Sequence, residues 1–345
     1  MVEKLRLLID GVLEPSLGFA MDETIMLCVH KSLVPSTIHF WSCRPTLSVA
    51  VETLREEEIE ELKQRGVEVV RRHTIGPSFY ADEKSIIFSF ILNTKKLDLP
   101  ENITELYSTL YQPVVRAVRS YGVPCTYDGL FYLGRGWKPV SQSGQFWYYD
   151  VLVFQGVVYL ETDVDVPNRL NLLPREVTCL QSLYQGSVPK EDFIRNTCLK
   201  IRAELGVELV RGDLTWEEEA LLKRVLKSKY HSERWLLYGI PPLAYGNLLI
   251  EVLTANPPTE TCAETVENVK EAIKLSQEED RIELRVWRRG EARPPGTFVS
   301  SGLVEAAKNS RIPAVTVNGI LKFSRRAPSK TEVLESIREE IKKIR

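Results

Sequence analysis

The sequence predicts an α+β chain of two domains, the first built on a mixed sheet and the second a smaller α/β domain. Three observations carry this prediction. The 345 residues, 43% of them hydrophobic and 27% charged, suit two cores of ordinary size. Strand and helix patterns mix in the first part without strict alternation. Proline and glycine concentrate at 240–247, which indicates a linker between domains 1–239 and 248–345.

The first domain is predicted to open with a strand and a helix and to continue with short strands before further helices. Apolar and β-branched runs indicate the strands, and apolar positions spaced near 3.6 residues indicate the helices. Gly66 marks the end of an acidic-start helix. The predicted elements are strand Leu5–Asp10, helix Phe19–His30, strands Thr37–Trp41 and Leu47–Val51, helix Glu56–Arg65, strands Val67–Arg72 and Ser85–Leu92, helix Leu106–Tyr121, strand material at Leu130–Leu133 and Phe146–Leu160, and helices within 189–229.

The second domain is predicted to run strand, helix, strand, helix, strand, strand, helix. The elements are strand Leu248–Leu253, helix Ala263–Ser276, strand Ile282–Trp287, helix Gly302–Lys308, a strand opened by Ile312-Pro313, an Asn318-Gly319 turn, strand Ile320–Phe323 and helix Lys330–Ile344. This order, with an Ile-Pro bond opening a β-branched strand, resembles the thioredoxin fold. The resemblance implies a cis bond before Pro313, beside a redox site.

The redox site of that family lies after the first strand, where its two-cysteine motif has become Thr259-x-x-Cys262. Cys262 and Pro313 are therefore the redox candidates. One thiol cannot complete a disulfide cycle within the motif. Two interpretations stay open here, a binding-only thioredoxin-like domain and a monothiol catalyst.

Charge and cysteine usage exclude several function classes. The net charge of −2 gives no basic field for nucleic acid or a membrane surface. The longest apolar runs are too short to span a bilayer, and the start lacks the apolar segment of a signal peptide. Six scattered cysteines show no metal-ligand spacing, so we expect reduced thiols, a cytoplasmic protein and no metal site.

Six segments of the first domain occur in an order typical of one enzyme family. They are Leu5–Leu8 with Ala20–Glu23, His39–Val49, Gly66–Arg72, Lys138–Gln145, Gly156–Leu160 and Lys229–Trp235. Together they resemble the strands, helix and loops of the lipoate–protein ligase family, within the larger biotin/lipoate ligase fold. The resemblance covers about residues 3–239.

The resemblance implies a ligase that activates the carboxylate of lipoate as an acyl-adenylate, with ATP and Mg²⁺ as cofactors. A lysine on a lipoyl-carrier protein domain then attacks the acyl group. Lys138 is the implied catalytic residue, because a lysine stabilises charge where carboxylate and phosphate meet. The implied ligand-binding residues are Arg71, Arg72, Gly76, Asp82, Ser143 and Gly144.

The glycine-rich loop of the family is altered here. Glycine lets backbone N–H groups approach a ligand closely. Ile75 adds a β-branched side chain at one glycine position, and Pro77 removes an N–H donor at another. Ala81 replaces the histidine of a His-Asp pair, and Lys138 stands one residue too far upstream of its motif. A catalytically decayed binding or scaffold protein is therefore the alternative to an active ligase, and a thioredoxin-like redox-associated protein is a further one.

Cys179 raises another possibility for the acyl chemistry. Octanoyltransferases related to the ligases use a cysteine thioester instead of an adenylate, and Cys179 falls in a segment like the ligases' "V-T-x-L". No histidine lies nearby in the sequence to activate it. A buried structural cysteine is the other interpretation of this residue.

Overall fold

The computed structural model describes residues 2–52, 54–242, 248–292 and 297–344. The chain packs as two compact units, an N-terminal unit of residues 1–50 and 59–230 and a C-terminal unit of residues 51–58 and 231–345. Residues 243–247 of the predicted linker lie outside the described residues. The division into domains 1–239 and 248–345 stays a prediction.

Residues 4–225, as far as the structure describes them, form eleven strands and seven α-helices. In chain order they are β1 Lys4–Leu13, α1 Pro15–His30, β2 Thr37–Cys43, β3 Thr46–Val49, α2 Glu56–Gln64, β4 Glu68–Arg71, β5 Phe79–Ala81, β6 Ser85–Asn93, α3 Ile103–Arg119, β7 Thr126–Tyr127, β8 Tyr132–Arg135, β9 Lys138–Tyr148, β10 Val151–Tyr159, α4 Asp165–Arg169, α5 Leu180–Tyr184, α6 Lys190–Leu205, β11 Glu208–Arg211 and α7 Trp216–Val225.

The N-terminal unit is built on an eight-stranded sheet in the order β11-β1-β2-β6-β10-β9-β8-β7. Strand β1 runs parallel to β11 and β2, and the pairs from β2 to β7 are antiparallel. A separate three-stranded sheet has the order β4-β3-β5. The predicted α+β class with mixed sheets is confirmed.

Helix α1 lies on one face of the large sheet, opposite the aromatic core under α3 and α6. Glu14 caps the start of α1 by accepting the backbone N–H groups of Ser16 and Leu17, and Pro15 supplies a first residue that needs no N–H partner. Twelve of the sixteen residues of α1 are buried, including Asp22 and Glu23. Buried carboxylates require partners, and these partners form the site described below.

The register between β9 and β10 decides which side chains face α1. Gly144 lies opposite Gln155, and Gln155 hydrogen-bonds to Asp22 of α1. Because side chains alternate along a strand, Gln142, Gly144 and Phe146 share that face of the sheet. The strand material predicted at 146–160 proves to be part of this hairpin, which turns at Tyr149 with φ 54°.

The C-terminal unit contains the predicted order of elements. They are α8 Glu233–Tyr238, β12 Leu248–Thr254, α9 Glu260–Ser276, β13 Ile282–Arg288, α10 Ser301–Lys308, β14 Ala314–Val317, β15 Ile320–Ser324 and α11 Lys330–Ile344. The sheet has the order β13-β12-β14-β15, with β12 parallel to β13 and antiparallel to β14. Helices α9 and α11 pack on one face and α10 on the other. The Ile312–Pro313 bond is cis, as predicted.

Across the described residues, none of the helices has both the length and the apolar composition that a bilayer crossing requires.

Candidate functional site

The loop of residues 72–78 lies against strand β9 in the N-terminal unit. Ile75 and Gln145 form an antiparallel bridge, in which each backbone N–H donates to the other's carbonyl at 2.8 Å. A Cβ on Gly76 would lie 2.8 Å from the carbonyl oxygen of Ser143, and one on Gly144 would lie 2.6 Å from that of Ile75. Gly76 also has φ +155°. The contact therefore requires glycine on both sides.

Arg72 holds the loop in this position. Its buried guanidinium donates from Nη1 to the Ser48 carbonyl (2.9 Å), from Nε to Thr74 Oγ1 (3.0 Å) and from Nη2 to the Pro77 carbonyl (2.7 Å). It also stacks 4.7 Å above the Phe79 ring. Four of the predicted binding residues are thus brought together, namely Arg72, Gly76, Ser143 and Gly144.

The other two predicted binding residues have partners elsewhere in the unit. Arg71 is buried, and its Nη1 donates to the Ala50 carbonyl at 2.5 Å. The Asp82 carboxylate accepts the backbone N–H groups of Lys84 and Asp163 at 3.0 Å each. Burial raises the pKa of Asp82. These contacts join Asp82, in the turn between β5 and β6, to the segment that follows β10.

Lys138 lies at the start of β9, with 59% of its side chain exposed, and forms an ion pair with Glu176 at 2.9 Å. It precedes Ser143 by five residues, roughly 17 Å along a strand. The structure therefore does not bring Lys138 to Gly76, and its catalytic role stays a prediction. Cys179 occupies the N-cap position of α5 without a capping hydrogen bond from its side chain, and its Sγ lies 3.0 Å from Ser182 Oγ.

A buried hydrogen-bond network joins α1 to the loop. Asp22 accepts from His39 Nδ1 (2.7 Å), Ser89 Oγ (2.6 Å) and Gln155 Nε2 (2.6 Å). Gln155 in turn accepts from Thr74 Oγ1 at 2.8 Å. The Asp22 carboxylate is thus connected through one side chain to the loop that Arg72 holds.

His39 lies between two carboxylates. Its Nε2 is 2.9 Å from Asp10 Oδ2, and its Nδ1 is bonded to Asp22. Burial alone would lower the pKa of His39, but the two carboxylates raise it to about 9. His39 is therefore a cation at neutral pH and donates from both ring nitrogens.

A second buried cluster contains Glu23, Lys229, Tyr230 and His73. Lys229 Nζ lies 2.7 and 2.8 Å from the two Glu23 oxygens, and the Tyr230 hydroxyl donates to Glu23 at 2.8 Å. Burial works against the charged form of Glu23, yet Lys229 and its other partners lower the pKa of this carboxyl. Lys229 and Tyr230 belong to a π-helical turn, Leu226–Tyr230. Such turns are frequent at functional sites.

His73 faces the same cluster from the loop. Its Nδ1 lies 3.1 Å from the Tyr230 hydroxyl, whose own proton is directed to Glu23. Burial lowers the pKa of His73 to about 4, so the ring is neutral and Nδ1 carries the proton. Nε2 is then a buried acceptor without a partner.

Among the described residues, Gln142 is another buried polar side chain on this face of the sheet without a hydrogen-bond partner. Neither its amide nitrogen nor its amide oxygen forms a hydrogen bond. Gln142 lies two residues before Gly144 on β9, and Phe146 lies two residues after it, so all three share one face. His73 packs edge-on against Phe146, with ring centroids 5.6 Å apart. Unpartnered buried donors and acceptors thus flank the contact between Gly76 and Gly144.

The sequence motifs did not single out His39, His73, Gln142 or the Glu23–Lys229 pair as functional. One signal was present, since two adjacent acids, Asp22 and Glu23, interrupt an otherwise apolar helix. Their partners are 17 to 207 residues away in sequence, so no local pattern could identify them.

The sequence family described as "Lipoyl protein ligase A/B catalytic domain" matches residues 14–201, a span that contains both the loop and β9. The chain belongs to this family. Two curated relatives are octanoyltransferases LipM. The one from Brevibacillus brevis is 23% identical over 68% of this chain and 99% of its own length. The one from Bacillus anthracis is 23% identical over 66% of this chain and 95% of its own.

Solved structures support the fold of this family. A bi-partite lipoate protein ligase from Thermoplasma acidophilum, studied with its E2 lipoyl domain, superposes with a TM-score of 0.58 at 18% identity. The superposition covers 69% of this chain and 97% of that one. A lipoate-protein ligase A bound with ATP gives the same TM-score and identity, over 69% of this chain and 99% of its own. At this identity the likeness concerns the fold alone.

The residues around the loop do not fit ATP in the conformation described. Phosphate oxygens require free backbone N–H groups or cations. The Ile75 N–H is bonded to Gln145, Pro77 has none, and Arg72 donates to Ser48, Thr74 and Pro77. No group of three or more His, Cys, Asp or Glu side chains in the described part of the chain could hold a metal ion.

Proposed function

We propose that the N-terminal unit binds a lipoyl-type acyl group, lipoyl or octanoyl, and passes it to a lysine of a carrier protein. The observation that carries the proposal is the meeting of Gly76 and Gly144, within the span that matches the ligase family. The carrier partner and the acyl ligand are those that the family and its octanoyltransferase relatives suggest.

The unpartnered groups beside this contact suggest where the acyl group binds. A buried polar group without a hydrogen bond costs about 1–3 kcal/mol, so native proteins retain few of them, and a bound ligand or water is one explanation for those that remain. Gln142 can donate to an acyl carbonyl, and His73 Nε2 can accept from a donor. A ligand reaches both when residues 74–76 separate from β9, which breaks the Ile75–Gln145 pair and the hydrogen bond from Thr74 to Gln155.

The acyl group can be activated by two routes. The first, predicted from the ligase resemblance, would form an acyl-adenylate from lipoate and ATP with release of pyrophosphate, and the loop conformation described above disfavours it. In the second, a cysteine thiolate attacks the carbonyl of an acyl thioester, the donor thiol leaves, and the carrier amine then displaces the cysteine. Burial raises the pKa of four thiols in this unit, which disfavours their thiolates. These four are Cys28, Cys43, Cys125 and Cys198. Cys179 is the candidate from the sequence.

A binding protein without transfer activity is the second candidate function. The specific observation in its favour is that the loop uses its own polar groups, with Arg72 donating to Ser48, Thr74 and Pro77. A loop satisfied in this way binds an acyl-phosphate poorly. An acyl group that needs only Gln142 and His73 can still bind.

Acyl transfer by the full-length protein to an isolated lipoyl domain tests the proposal, with intact mass spectrometry of the acceptor as readout. One reaction contains lipoate, ATP and Mg²⁺, and the other contains an octanoyl thioester and no nucleotide. A mass gain in either supports transfer and identifies the route. Saturable acyl binding without transfer would establish the binding protein. Absence of both would refute the proposal.

Two sets of variants assign residues within this assay. Lys138→Ala tests the predicted catalytic lysine. Because the Lys138 side chain is exposed, this variant should have the melting temperature of the wild type. Unchanged transfer by this variant would remove Lys138 from the mechanism. Replacing each of the five cysteines of the unit by serine, one at a time, locates a thioester. Only the replacement of the nucleophilic cysteine should abolish the covalent acyl intermediate.

We also propose that the C-terminal unit is a thioredoxin-like domain without a dithiol cycle. Its order of strands and helices, the position of Cys262 in the first turn of α9 and the cis bond before Pro313 support this. A domain that fits dithiols would suit a partner that carries a lipoyl group, itself a dithiol.

A further inference from the structure

A groove of about 510 Å³ opens between β1 and α6, away from the contact of the loop with β9. Its apolar lining comes from the large sheet and the facing side of α6, and includes Leu7, Ile9, Ile86 and Ile194. Leu199 continues this surface to solvent and is 56% exposed. The volume lies within the range of about 300–1,000 Å³ usual for small-molecule sites.

The groove carries more positive than negative charge. Four cations line it against two acids, Asp10 and Glu191, so its net charge is 4 − 2 = +2. The cations are Lys190, Arg195, Arg202 and Arg211.

Only one of these cations, Arg195, is paired with a carboxylate in the part of the chain that the structure describes, at 2.8 Å from Asp192. Lys190 donates to Ser42 Oγ and the Glu83 carbonyl, and Arg202 to the Leu209 carbonyl. These oxygens are neutral. Three positive charges therefore face an apolar cavity without a paired carboxylate.

One acid of the groove is also part of the buried network. Asp10, with 37% of its side chain exposed, bonds to His39, and His39 bonds to Asp22. From Asp22 the hydrogen bonds continue through Gln155 to Thr74 in the loop. Arg211 acts electrostatically on Asp10 from within the groove. An anion bound to Arg211 would compete with Asp10 for that cation.

We propose that this groove is a second ligand site, which binds an amphiphile with a carboxylate or phosphate head and a medium-length alkyl tail, and that its occupancy is transmitted to the loop through Asp10, His39, Asp22 and Gln155. The head contacts Arg202 and Arg211, and the tail covers the apolar lining. The site is separate from the proposed acyl-transfer site, so either can fail without the other.

Calorimetry with the full-length protein and a matched ligand set tests the chemistry of the groove. Octanoate and octyl phosphate are expected to bind saturably. Octylammonium has the same tail with the opposite charge, and butyrate has the same head with a short tail. Each is expected to bind at least about tenfold more weakly, because one loses the charge contacts and the other the buried methylenes. Equal affinity of octanoate and octylammonium would overturn the assignment.

Variants place the binding in the groove rather than at the loop. Arg202→Glu with Arg211→Glu should weaken octanoate binding about tenfold or more by reversing two charges. Lys200→Glu, on α6 outside the lining residues, is the matched control and should leave the affinity unchanged. Circular dichroism verifies that all variants are folded. Unchanged affinity in the folded double variant would refute the groove site, even if acyl transfer at the loop is present.

Hydrogen exchange measures the coupling in the same samples. Octanoate is expected to protect β1 and α6 and to change exchange at the Ile75 amide. Gln155→Leu cuts the connection to Thr74 and should abolish only the change at Ile75, with groove protection intact. Protection of α6 without any change at Ile75 in the wild type would overturn the coupling.

Discussion

At the scale of the residue, His39 links stability to pH with a definite sign. The pKa of His39 is raised from 6.5 to about 9 by Asp22 and Asp10, against the effect of burial. Because the pKa of His39 is higher in the folded state than in the unfolded state, its protonation stabilises the folded protein. This contribution is fully present at a pH below the unfolded-state pKa and is lost as the pH rises through the folded-state pKa. The window is therefore pH 6.5 to about 9. The loss amounts to about 3 kcal/mol.

Urea unfolding at several pH values across this window measures the effect. Wild type should lose stability from pH 6.5 to 9 and then level off. His39→Gln should be less stable at pH 6.5 and show a flat profile, whereas the exposed His231→Gln should retain the wild-type slope. His73, whose pKa is lowered, acts only below pH 6.5. The same slope in His39→Gln as in wild type would contradict the assignment.

Lys229 and Glu23 should be strongly coupled. Lys229→Met leaves a buried carboxylate whose remaining bonded partner is Tyr230, which we expect to cost about 3–5 kcal/mol. Glu23→Gln with Lys229→Met removes both charges and should recover much of that loss. A double-mutant cycle by chemical denaturation gives the coupling energy. Additive effects of the two substitutions would show that the pair does not act as a unit.

Gln142 should affect stability and ligand binding in opposite directions. Gln142→Leu replaces an amide without partners by an apolar group of similar size, which should raise the free energy of unfolding by about 1–3 kcal/mol. The same change should weaken acyl binding, because the proposed donor to the acyl carbonyl is gone. Denaturation and calorimetry on one preparation check both. A variant that gains stability and binds the acyl ligand normally would exclude Gln142 from the site.

At the scale of the element, the contact between the loop and β9 depends on two glycines. A Cβ on Gly144 would lie 2.6 Å from the Ile75 carbonyl oxygen, so Gly144→Ala should push the loop off the strand. The amides of Ile75 and Gln145 should then lose protection in hydrogen exchange, since each donates across this contact. Gly11→Ala is the matched control, because a Cβ there meets no atom within 4 Å. If the Ile75 and Gln145 amides stay protected in Gly144→Ala, the loop remains paired with β9, and the contact does not require glycine at position 144.

Long periodic elements were predictable from the sequence, and short pairings were not. Helix α11 has the predicted bounds Lys330–Ile344. Helices α1 and α9 end where predicted but begin about one turn earlier than predicted, at Pro15 and Glu260. Among the short strands, β3 and β4 lie in longer apolar, β-branched runs and were predicted, whereas β5 and β11, with three and four residues, were missed. Strand β11 exists because Leu209 pairs in parallel with Leu5, a partner about 200 residues earlier.

Part of the candidate site was predictable for the same reason. Arg72, Gly76, Ser143 and Gly144 belong to local motifs, and they do meet. Lys138 is different, because its motif carries one extra residue. β9 pairs with β10 without a break from Ser141 to Tyr148, whereas its pairing with β8 shifts register between Ser141 and Pro139. Such a bulge changes the direction of the side chains beside it, so the spacing in the sequence does not fix the face that Lys138 occupies.

At the scale of the whole molecule, five of the six cysteines belong to the N-terminal unit. The C-terminal unit contains a single cysteine, Cys262. Its Sγ accepts from the Ala255 N–H at 3.4 Å and from Thr259 Oγ1 at 3.2 Å. Burial opposes the thiolate, but these hydrogen bonds lower the pKa of Cys262. The thiolate is therefore favoured, but Cys262 is only 1% exposed, and the C-terminal unit offers no second thiol to complete a cycle.

Insulin reduction by the full-length protein should accordingly stay at background. A lone thiol can form a mixed disulfide with a substrate, but a second thiol is needed to release it. Thr259→Cys puts a second thiol where a hydroxyl now lies 3.2 Å from Sγ, and turnover should appear if the unit is thioredoxin-like. Thr259→Ser keeps the hydroxyl and should remain at background. Turnover by the wild type would require a resolving thiol from the N-terminal unit, and serine at Cys179 or Cys198 should then abolish it. No turnover by Thr259→Cys, with the new disulfide formed, would remove the thioredoxin-like interpretation of this unit.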